Sequence, residues 1–363
     1  GQVIGDPTAF VSAPIHSSVS GTVKKIDKIT TSNGSKVDAV TIESDGEMAV
    51  FEGIKPPVVN NLSDLLKATR ESGLVGLGGA GFPTHVKLNI PKDKNVDTLI
   101  INLAECEPYI TADHREVVEN SWGVMSGISV LKELLGIKRV IVGIENNKPD
   151  AIEILRNIAK HDKKHGEVGI LPLKASYPYG AEKVLIKACT NRTVPMGKLP
   201  SDAGCLVMNV ASVAFLSEYL KTGMPLVKRR VTVDGDAISE PKNVIAPIGA
   251  SFDDLFAVCG GLKSDPAKLV YGGPMMGIAL YSLDVPVQKT SSALLAFEVD
   301  EVEETESSPC IRCGRCVSAC PSHLVPTMME NAARRSDNET FEQLNGLECY
   351  ECGSCTYVCP AGR

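Results

Sequence analysis

Eight of the twelve cysteines fall within the last 54 residues, in two runs of identical spacing. The first is Cys310-x2-Cys313-x2-Cys316-x3-Cys320-Pro321, and the second is Cys349-x2-Cys352-x2-Cys355-x3-Cys359-Pro360. Thiolates are soft ligands suited to iron and sulfide. Three cysteines at i, i+3 and i+6 can wrap three corners of a four-iron cluster with one short loop. The fourth, which lies beyond the loop and before a proline, reaches the other cluster. The spacing therefore predicts one [4Fe-4S] cluster on Cys310, Cys313, Cys316 and Cys359. It predicts a second on Cys349, Cys352, Cys355 and Cys320. Zinc knuckles are the competing chemistry, but they usually pair two short Cys-x2-Cys units across a longer gap.

The remaining cysteines carry less. Cys189, Cys205 and Cys259 sit in apolar contexts and read as small core residues. Cys106 lies between Glu105 and Glu107, and flanking carboxylates disfavour a thiolate nucleophile.

A second group of residues could hold a nucleotide. Gly76-Leu77-Gly78-Gly79-Ala80-Gly81-Phe82-Pro83-Thr84-His85-Val86-Lys87 is glycine-rich and ends on a cation. Glycines let backbone amides approach a phosphate or a flat ring. The segment is neither a P-loop nor a G-x-G-x-x-G fingerprint. Ile100–Tyr109 reads as a buried strand that delivers Asn102, Glu105 and Glu107 at its C-terminal end. Tyr177–Lys183 and Met208–Ser212 are two further strand-to-helix junctions, carrying Tyr177, Gly180, Glu182 and Asn209. Open α/β sheets bind ligands at that edge. Glu105 and Glu107 alternate onto one face if the strand continues through them, and binding polar cofactor groups suits them better than acid–base work.

These groups need elements to position them. Residues from about 60 to 225 alternate between short apolar runs and amphipathic ones. Strands are expected at Thr98–Leu103, Arg139–Ile144, Val168–Leu173 and Cys205–Val210. Helices are expected at Trp122–Leu135, Pro149–Lys160, Ala181–Cys189 and Ala211–Lys221. Buried strands spaced by helices imply a largely parallel sheet. Asn61-Leu62-Ser63-Asp64 opens an earlier helix that Gly73 stops. Residues 1–52 read as β, with strands at Ile15–Val23, Val37–Ile42 and Glu47–Phe51. Arg230–Ile238 reads as a hairpin about an Asp234-Gly235 turn, followed by a helix over Ser251–Cys259. Residues 300–309 read as an acidic linker. The 28 residues between Cys320 and Cys349 leave room for an added helix near Val325–Arg335.

Composition narrows the classes. With 43% hydrophobic and 22% charged residues, the 363-residue chain can bury several cores. A net charge of −7 argues against nucleic acid as a partner. No apolar run is long enough to span a membrane, and no signal peptide opens the chain, so a soluble or peripheral protein is expected. Clustered thiols point to a reducing compartment. The chain opens on Gly1-Gln2-Val3 and closes four residues after Cys359, as a segment of a longer protein would.

The Gly76–Lys87 stretch resembles the Gly-Arg-Gly-Gly-Ala-Gly-Phe-Pro-Thr-Gly-x-Lys loop of the flavin subunit of respiratory complex I. Asn102–Pro108 resembles its Asn-x-Asp-Glu-x-Glu-Pro segment. Ala13–Val23 resembles part of a biotinyl/lipoyl-type sandwich without the carrier Met-Lys. Together with the paired cysteine motifs and Gly272-Gly273-Pro274-Met275-Met276-Gly277, the whole chain is most similar to the RnfC family of Rnf complexes. The resemblance implies FMN lined by Gly76, Gly78, Lys87, Asn102, Glu105, Gly180 and Asn209. It implies that Glu107 and Glu182 face NAD(H), with Phe82 on the adenine and Tyr177 near the flavin ring. Leu77, Ala104 and Ala181 depart from complex I, removing polar contacts to the cofactor.

The implied architecture is α/β and multidomain. A small sandwich-type domain (1–55) precedes a Rossmann-like FMN/NADH domain (56–226). A β-grasp, SLBB-like insert with a return segment (227–299), the linker (300–309) and an α-helical two-cluster ferredoxin domain (310–363) follow. The implied activity is ferredoxin:NAD+ oxidoreduction in an ion-translocating complex. Its partners would be membrane subunits and a ferredoxin-like subunit, and its place the cytoplasmic face of the membrane. Other readings are a soluble cobalamin reductase or hydrogenase diaphorase subunit, or an electron-transfer adapter that does not bind NADH.

Overall fold

The computed structural model describes residues 1–161, 167–299, 302 and 306–363. Half of the acidic 300–309 stretch, read above as a linker, lies outside the described residues: Asp300, Glu301, Glu303, Glu304 and Thr305.

The N-terminal part is four strands in two small antiparallel sheets. β1 (Val3–Gly5) pairs with β2 (Ile15–His16), and β3 (Gly21–Thr30) pairs with β4 (Lys36–Ser44). The expected strand at Glu47–Phe51 does not form: a bend at Gly46 and Glu47 and a left-handed Met48 (φ 53°) interrupt the extended backbone that a strand needs. The stretch's apolar residues are solvent-facing, so no partner strand supplies the ladder bonds it needs. The part is tied to the rest by the buried Lys289 ammonium, which donates to Pro14 O and Gly73 O at 2.6 and 2.5 Å. Arg70 pairs with Asp6 at 2.8 Å.

The central domain begins with α1 (Leu62–Glu71), capped by the Asn61 side chain on Asp64 N, and the short α2 (Thr84–Leu88). β5 (Thr98–Leu103), α3 (Ala112–Leu135), β6 (Arg139–Glu145), α4 (Pro149–His161) and β7 (Val168–Leu173) follow. α5 (Glu182–Thr190), β8 (Cys205–Asn209) and α6 (Val210–Thr222) complete it. The four strands are all parallel, in the order β7-β6-β5-β8. Alternation sends Leu99, Ile101 and Leu103 into the core shared with α3, α4 and α6, and Ile100 into the one shared with α5. Each fully buried Leu or Ile contributes about 1.5–3 kcal/mol. Cys189 and Cys205 are buried in the α5-side core. α3 starts ten residues before the expected Trp122, with a break at Asn120 (φ −136°, ψ 38°). The polar first turns around Glu116 and Glu119 hid it from apolar periodicity.

The next domain is a five-stranded sheet in the order β10-β9-β13-β11-β12. Its strands are β9 (Lys228–Asp234), β10 (Lys242–Pro247), β11 (Lys268–Tyr271), β12 (Ile278–Leu280) and β13 (Ala293–Phe297). α7 (Phe252–Val258), capped by Ser251, packs beneath it and Cys259 is fully buried. The expected two-residue Asp234-Gly235 turn is not there. β9 and β10 pair as Lys242↔Val233, so residues 235–241 form a longer connection. Gly235 has φ +114°, and a Cβ on it would meet Ala296 O at 2.1 Å, so it serves a close approach to β13.

The C-terminal domain is helical: α8 (Arg315–Ala319), α9 (Pro326–Arg334), α10 (Asn338–Gln343) and α11 (Ser354–Tyr357). Among the described residues no helix is long and apolar enough to cross a membrane.

Candidate functional site

The sheet order reverses between β5 and β8, because the chain runs outward through β6 and β7 and then returns to the other side of β5. A reversal of this kind opens a crevice at the C-terminal strand ends. Asn102, Asn209 and the segments that follow them stand there.

The glycine loop closes one side. Val75 bridges Pro83, Gly76 N donates to Phe82 O at 2.8 Å, and Gly81 N to Gly76 O at 3.1 Å. This leaves Gly78, Gly79 and Ala80 exposed at the tip. A Cβ on Gly78 would stand 3.2 Å from Asn209 Nδ2, and Gly79 has φ +102° with open space around it. The loop therefore presents bare backbone beside the end of β8. Buried Arg229 supports it from below, donating to Leu77 O at 3.0 Å.

The polar groups of the crevice are interlinked. Asn102 Nδ2 donates to Gly180 O at 2.9 Å, and its Oδ1 accepts from Ala104 N at 3.1 Å. Asn209 caps α6 through Ala211 N and Ser212 N, and donates to Asp113 at 2.6 Å. Lys87 pairs with Glu182 at 2.5 Å. Glu105 accepts from Asp113 N and His114 N at 2.7 and 3.1 Å, seating a carboxylate on the first turn of α3. Burial, then the neighbouring Asp113, hold the Glu105 carboxyl above the usual range, and burial does the same to Asp113. β5 ends at Leu103, so Glu105 and Glu107 come from the loop after it rather than from alternating strand positions.

Next to this network lies a cavity of about 430 Å³ whose lining includes Glu105, Cys106, Glu107, His114, Glu145, Lys148 and Tyr177. Glu145 and Lys148 form a buried pair at 2.5 Å. The Cys106 thiol is pushed up to about 11, chiefly by burial, with Glu145 and Glu107 adding to it. A protonated thiol is no nucleophile. Both oxygens of Glu107 accept backbone bonds, from Met275 N at 3.0 Å and Met276 N at 2.9 Å. The Gly272–Gly277 loop is thereby drawn onto the cavity rim. A Cβ on Gly273 would lie 2.2 Å from Glu107 Oε2.

The two cysteine loops fold alike. Arg312 and Glu351 both take positive φ (56° and 53°), and each donates its amide to the thiol two residues earlier, on Cys310 and Cys349, at 3.4 Å. Gly314 and Gly353 both enter their helices with left-handed φ, 78° and 73°. Leu324 N adds a bond to the Cys320 thiol at 3.4 Å. N–H groups aimed at sulfur suit thiolates that carry cluster charge. Cys313 and Cys359 line a further cavity of about 710 Å³ with Arg315, Tyr357 and Pro360. Among the described residues no three His, Cys, Asp or Glu side chains gather as they would about a single metal ion.

Of the residues expected at the nucleotide site, Glu105, Glu107 and Tyr177 line the 430 Å³ cavity. Gly76, Gly78, Lys87, Asn102, Gly180, Glu182 and Asn209 belong to the bonded network and loop beside it. Phe82 is 44% exposed, with its ring free of the core. Gly180 also serves packing, since a Cβ there would meet Ala104 O at 2.5 Å. Sequence reasoning passed over Asp113, Glu145, Lys148 and Arg229. Glu145-Asn146-Asn147-Lys148 directly follows the β6 apolar run, so the strand-end rule applied to β5 would have found it. Arg229 and Asp113 had no such signal.

Four family models match the chain. They are the RnfC barrel sandwich hybrid domain over residues 1–47 and the Nuo51 FMN-binding domain over 69–218. The SLBB domain matches 230–279 and the 4Fe-4S dicluster domain 309–363. The RnfC-type component of the proton-translocating ferredoxin:NAD(+) oxidoreductase complex of Clostridium ljungdahlii is 45% identical over 91% of this chain and 72% of its own length. Its Na(+)-translocating counterpart from Acetobacterium woodii is 43% identical over 96% of this chain and 79% of its own. The corresponding component of the ion-translocating oxidoreductase complex of Rhodobacter capsulatus is 36% identical, with 93% and 66% covered. Among solved structures, an NAD+-reducing [NiFe]-hydrogenase matches with TM-score 0.56 at 18% identity, over 66% of this chain and 47% of that one. That likeness concerns the fold alone, and the chain spans less than half of the hydrogenase chain. The paired thiol loops, the glycine loop at the β5/β8 crevice and the identity to these relatives agree: the chain belongs to the RnfC family of ion-translocating ferredoxin:NAD+ oxidoreductase complexes, the Rnf complexes.

Proposed function

We propose that the chain is the NAD(H)-facing electron-transfer component of such a complex, exchanging electrons between NAD(H), FMN and two [4Fe-4S] clusters in ferredoxin:NAD+ oxidoreduction. The observation that carries this reading is the convergence of an exposed glycine loop, strand-end asparagines and a cysteine loop on one sheet edge. FMN supplies the change between two-electron and one-electron chemistry.

The chain's residues would divide the remaining tasks. Gly76 and Gly78 offer backbone to the flavin nucleotide, and Lys87 offers charge. Asn102, Glu105, Gly180 and Asn209 orient its polar groups. Glu107, Glu182 and Phe82 belong to the nicotinamide nucleotide's side, with Tyr177 between the nucleotide and the cysteine domain. Cys310, Cys313, Cys316 and Cys359 hold one cluster, and Cys349, Cys352, Cys355 and Cys320 the other. No general base is required, because hydride transfer between cofactors depends on positioning and on excluding water. The partners in this reading are the membrane subunits and a ferredoxin-like subunit, with the chain bound peripherally at the cytoplasmic face.

The test is anaerobic reconstitution with iron, sulfide and FMN, followed by addition of NADH. Flavin bleaching together with reduced-cluster EPR signals is expected. Intact clusters that respond to dithionite but not to NADH would overturn the nucleotide assignment and leave an electron-transfer adapter.

A further inference from the structure

The two cysteine loops have the same internal geometry but unequal surroundings. The run 348–353 is held against the cavity from several directions. The Tyr177 hydroxyl donates to Cys352 O at 2.7 Å. Lys183 pairs with Glu348 at 2.9 Å and stands 6.0 Å from the centre of the Tyr350 ring. Gly197 N donates to the other Glu348 oxygen at 2.9 Å. Met275, on the loop that Glu107 clamps, has its carbonyl 3.4 Å from where a Cβ on Gly353 would lie. Tyr177 and Glu107 both line the cavity, and Lys183 lies in the first turn of α5. By contrast, the hydrogen bonds of Cys310–Cys316 among the described residues run to Thr327 and within the cysteine domain itself. Cys310, Cys313 and Cys349 are exposed, and Cys352 is the one buried thiol of the two loops.

We infer that Tyr177 and Lys183 are positioning residues that seat the Cys349–Cys355 loop on the nucleotide cavity, so that the cluster held by this loop, and not the one on Cys310–Cys316, is the cofactor-facing one. The inference rests on the reading above and adds which loop is inner and what fixes it there. Electron transfer rates fall steeply with distance, so a loop held by side-chain hydrogen bonds and an ion pair keeps its separation from the cavity defined. The same contacts leave the Cys310–Cys316 loop facing outward.

Two measurements test this on the cluster-loaded chain. The first is amide hydrogen exchange of the unaltered chain, Tyr177→Phe and Lys183→Met, with iron content measured in each. Losing one bond should raise exchange at 348–353 roughly fivefold and leave 310–316 unchanged. The swapped pair Lys183→Glu/Glu348→Lys should restore part of the protection lost in Lys183→Met. Equal exchange in all samples, or a uniform rise over both loops, would overturn the inference. The second is rapid-mixing EPR after NADH in Cys313→Ser and Cys349→Ser, with dithionite added afterwards to show the surviving cluster. NADH should reduce the surviving cluster promptly in Cys313→Ser and much more slowly in Cys349→Ser, and the reverse order would overturn the inference. If NADH bleached no flavin in the unaltered chain, the functional reading would fail, while the exchange measurement would still decide whether the loop is seated.

Discussion

The Tyr177 hydroxyl donates a 2.7 Å hydrogen bond to the backbone carbonyl of Cys352, 175 positions away, and so joins the strand-end cavity directly to a cysteine loop. Burial, with Glu107, Cys352 and Cys106 nearby, holds the phenol well above its usual range, so it stays a donor. One side chain thus belongs both to the wall of the strand-end cavity and to the seat of a cysteine loop.

Removing one ligand should separate the two clusters. In Cys316→Ala, iron content should fall from about eight to about four atoms per chain, as two four-iron clusters require. One EPR signal should remain. Survival of both signals would contradict the ligand assignment.

Gly180 should be intolerant of a side chain. An added Cβ would meet Ala104 O at 2.5 Å and the Cys106 sulfur at 3.0 Å, so the 177–181 segment must move. That movement breaks the Asn102–Gly180 hydrogen bond. Gly180→Ala should cost roughly 1–3 kcal/mol in denaturant unfolding and weaken FMN retention on gel filtration. Unaltered stability would mean the backbone there has more room than the structure shows.

The Glu145–Lys148 pair is buried, with 4% and 8% of the side chains exposed, so breaking it from one side leaves a lone charge in the interior. Lys148→Met should destabilise by roughly 3–5 kcal/mol. The double variant Glu145→Gln/Lys148→Met should recover much of this, because no uncompensated charge remains. Equal midpoints for the single and double variants would show that the charge is solvated after all.

His16 should make the N-terminal part acid-sensitive. Burial, reinforced by Lys289, pushes the imidazole down to about 4. Its Nδ1 has no partner among the described residues. A histidine whose folded pKa is depressed binds its proton more readily when unfolded. The stability it contributes is present above pH 6.5 and is lost as pH falls toward 4, worth on the order of 3 kcal/mol when fully lost. His16→Gln should flatten the thermal midpoint over that window, and an unchanged slope would assign the acid sensitivity elsewhere.

The legible part of this protein was local. Spacing alone makes Cys310–Cys320 and Cys349–Cys359 cluster loops, because a cluster held by one short loop demands that spacing. The four parallel strands were readable from apolar runs that alternate with helical periodicity. So was the strand-end placement of Asn102, Glu105, Gly180 and Asn209, since the sheet edge follows from the strand ends. The first half of α3 was not readable, because its largely polar turns carry too few apolar residues to show a helical period. The connection after Asp234 was misread because an Asp-Gly pair marks a turn without fixing where the paired strands resume. What only the tertiary structure decided was the partnership of distant residues. Glu107 holds the amides of Met275 and Met276, Arg229 supports the glycine loop at Leu77, and Tyr177 meets Cys352. Local sequence specifies elements and the chemistry they carry. Which buried donor finds which acceptor depends on how four domains pack, and no spacing within one segment contains that information.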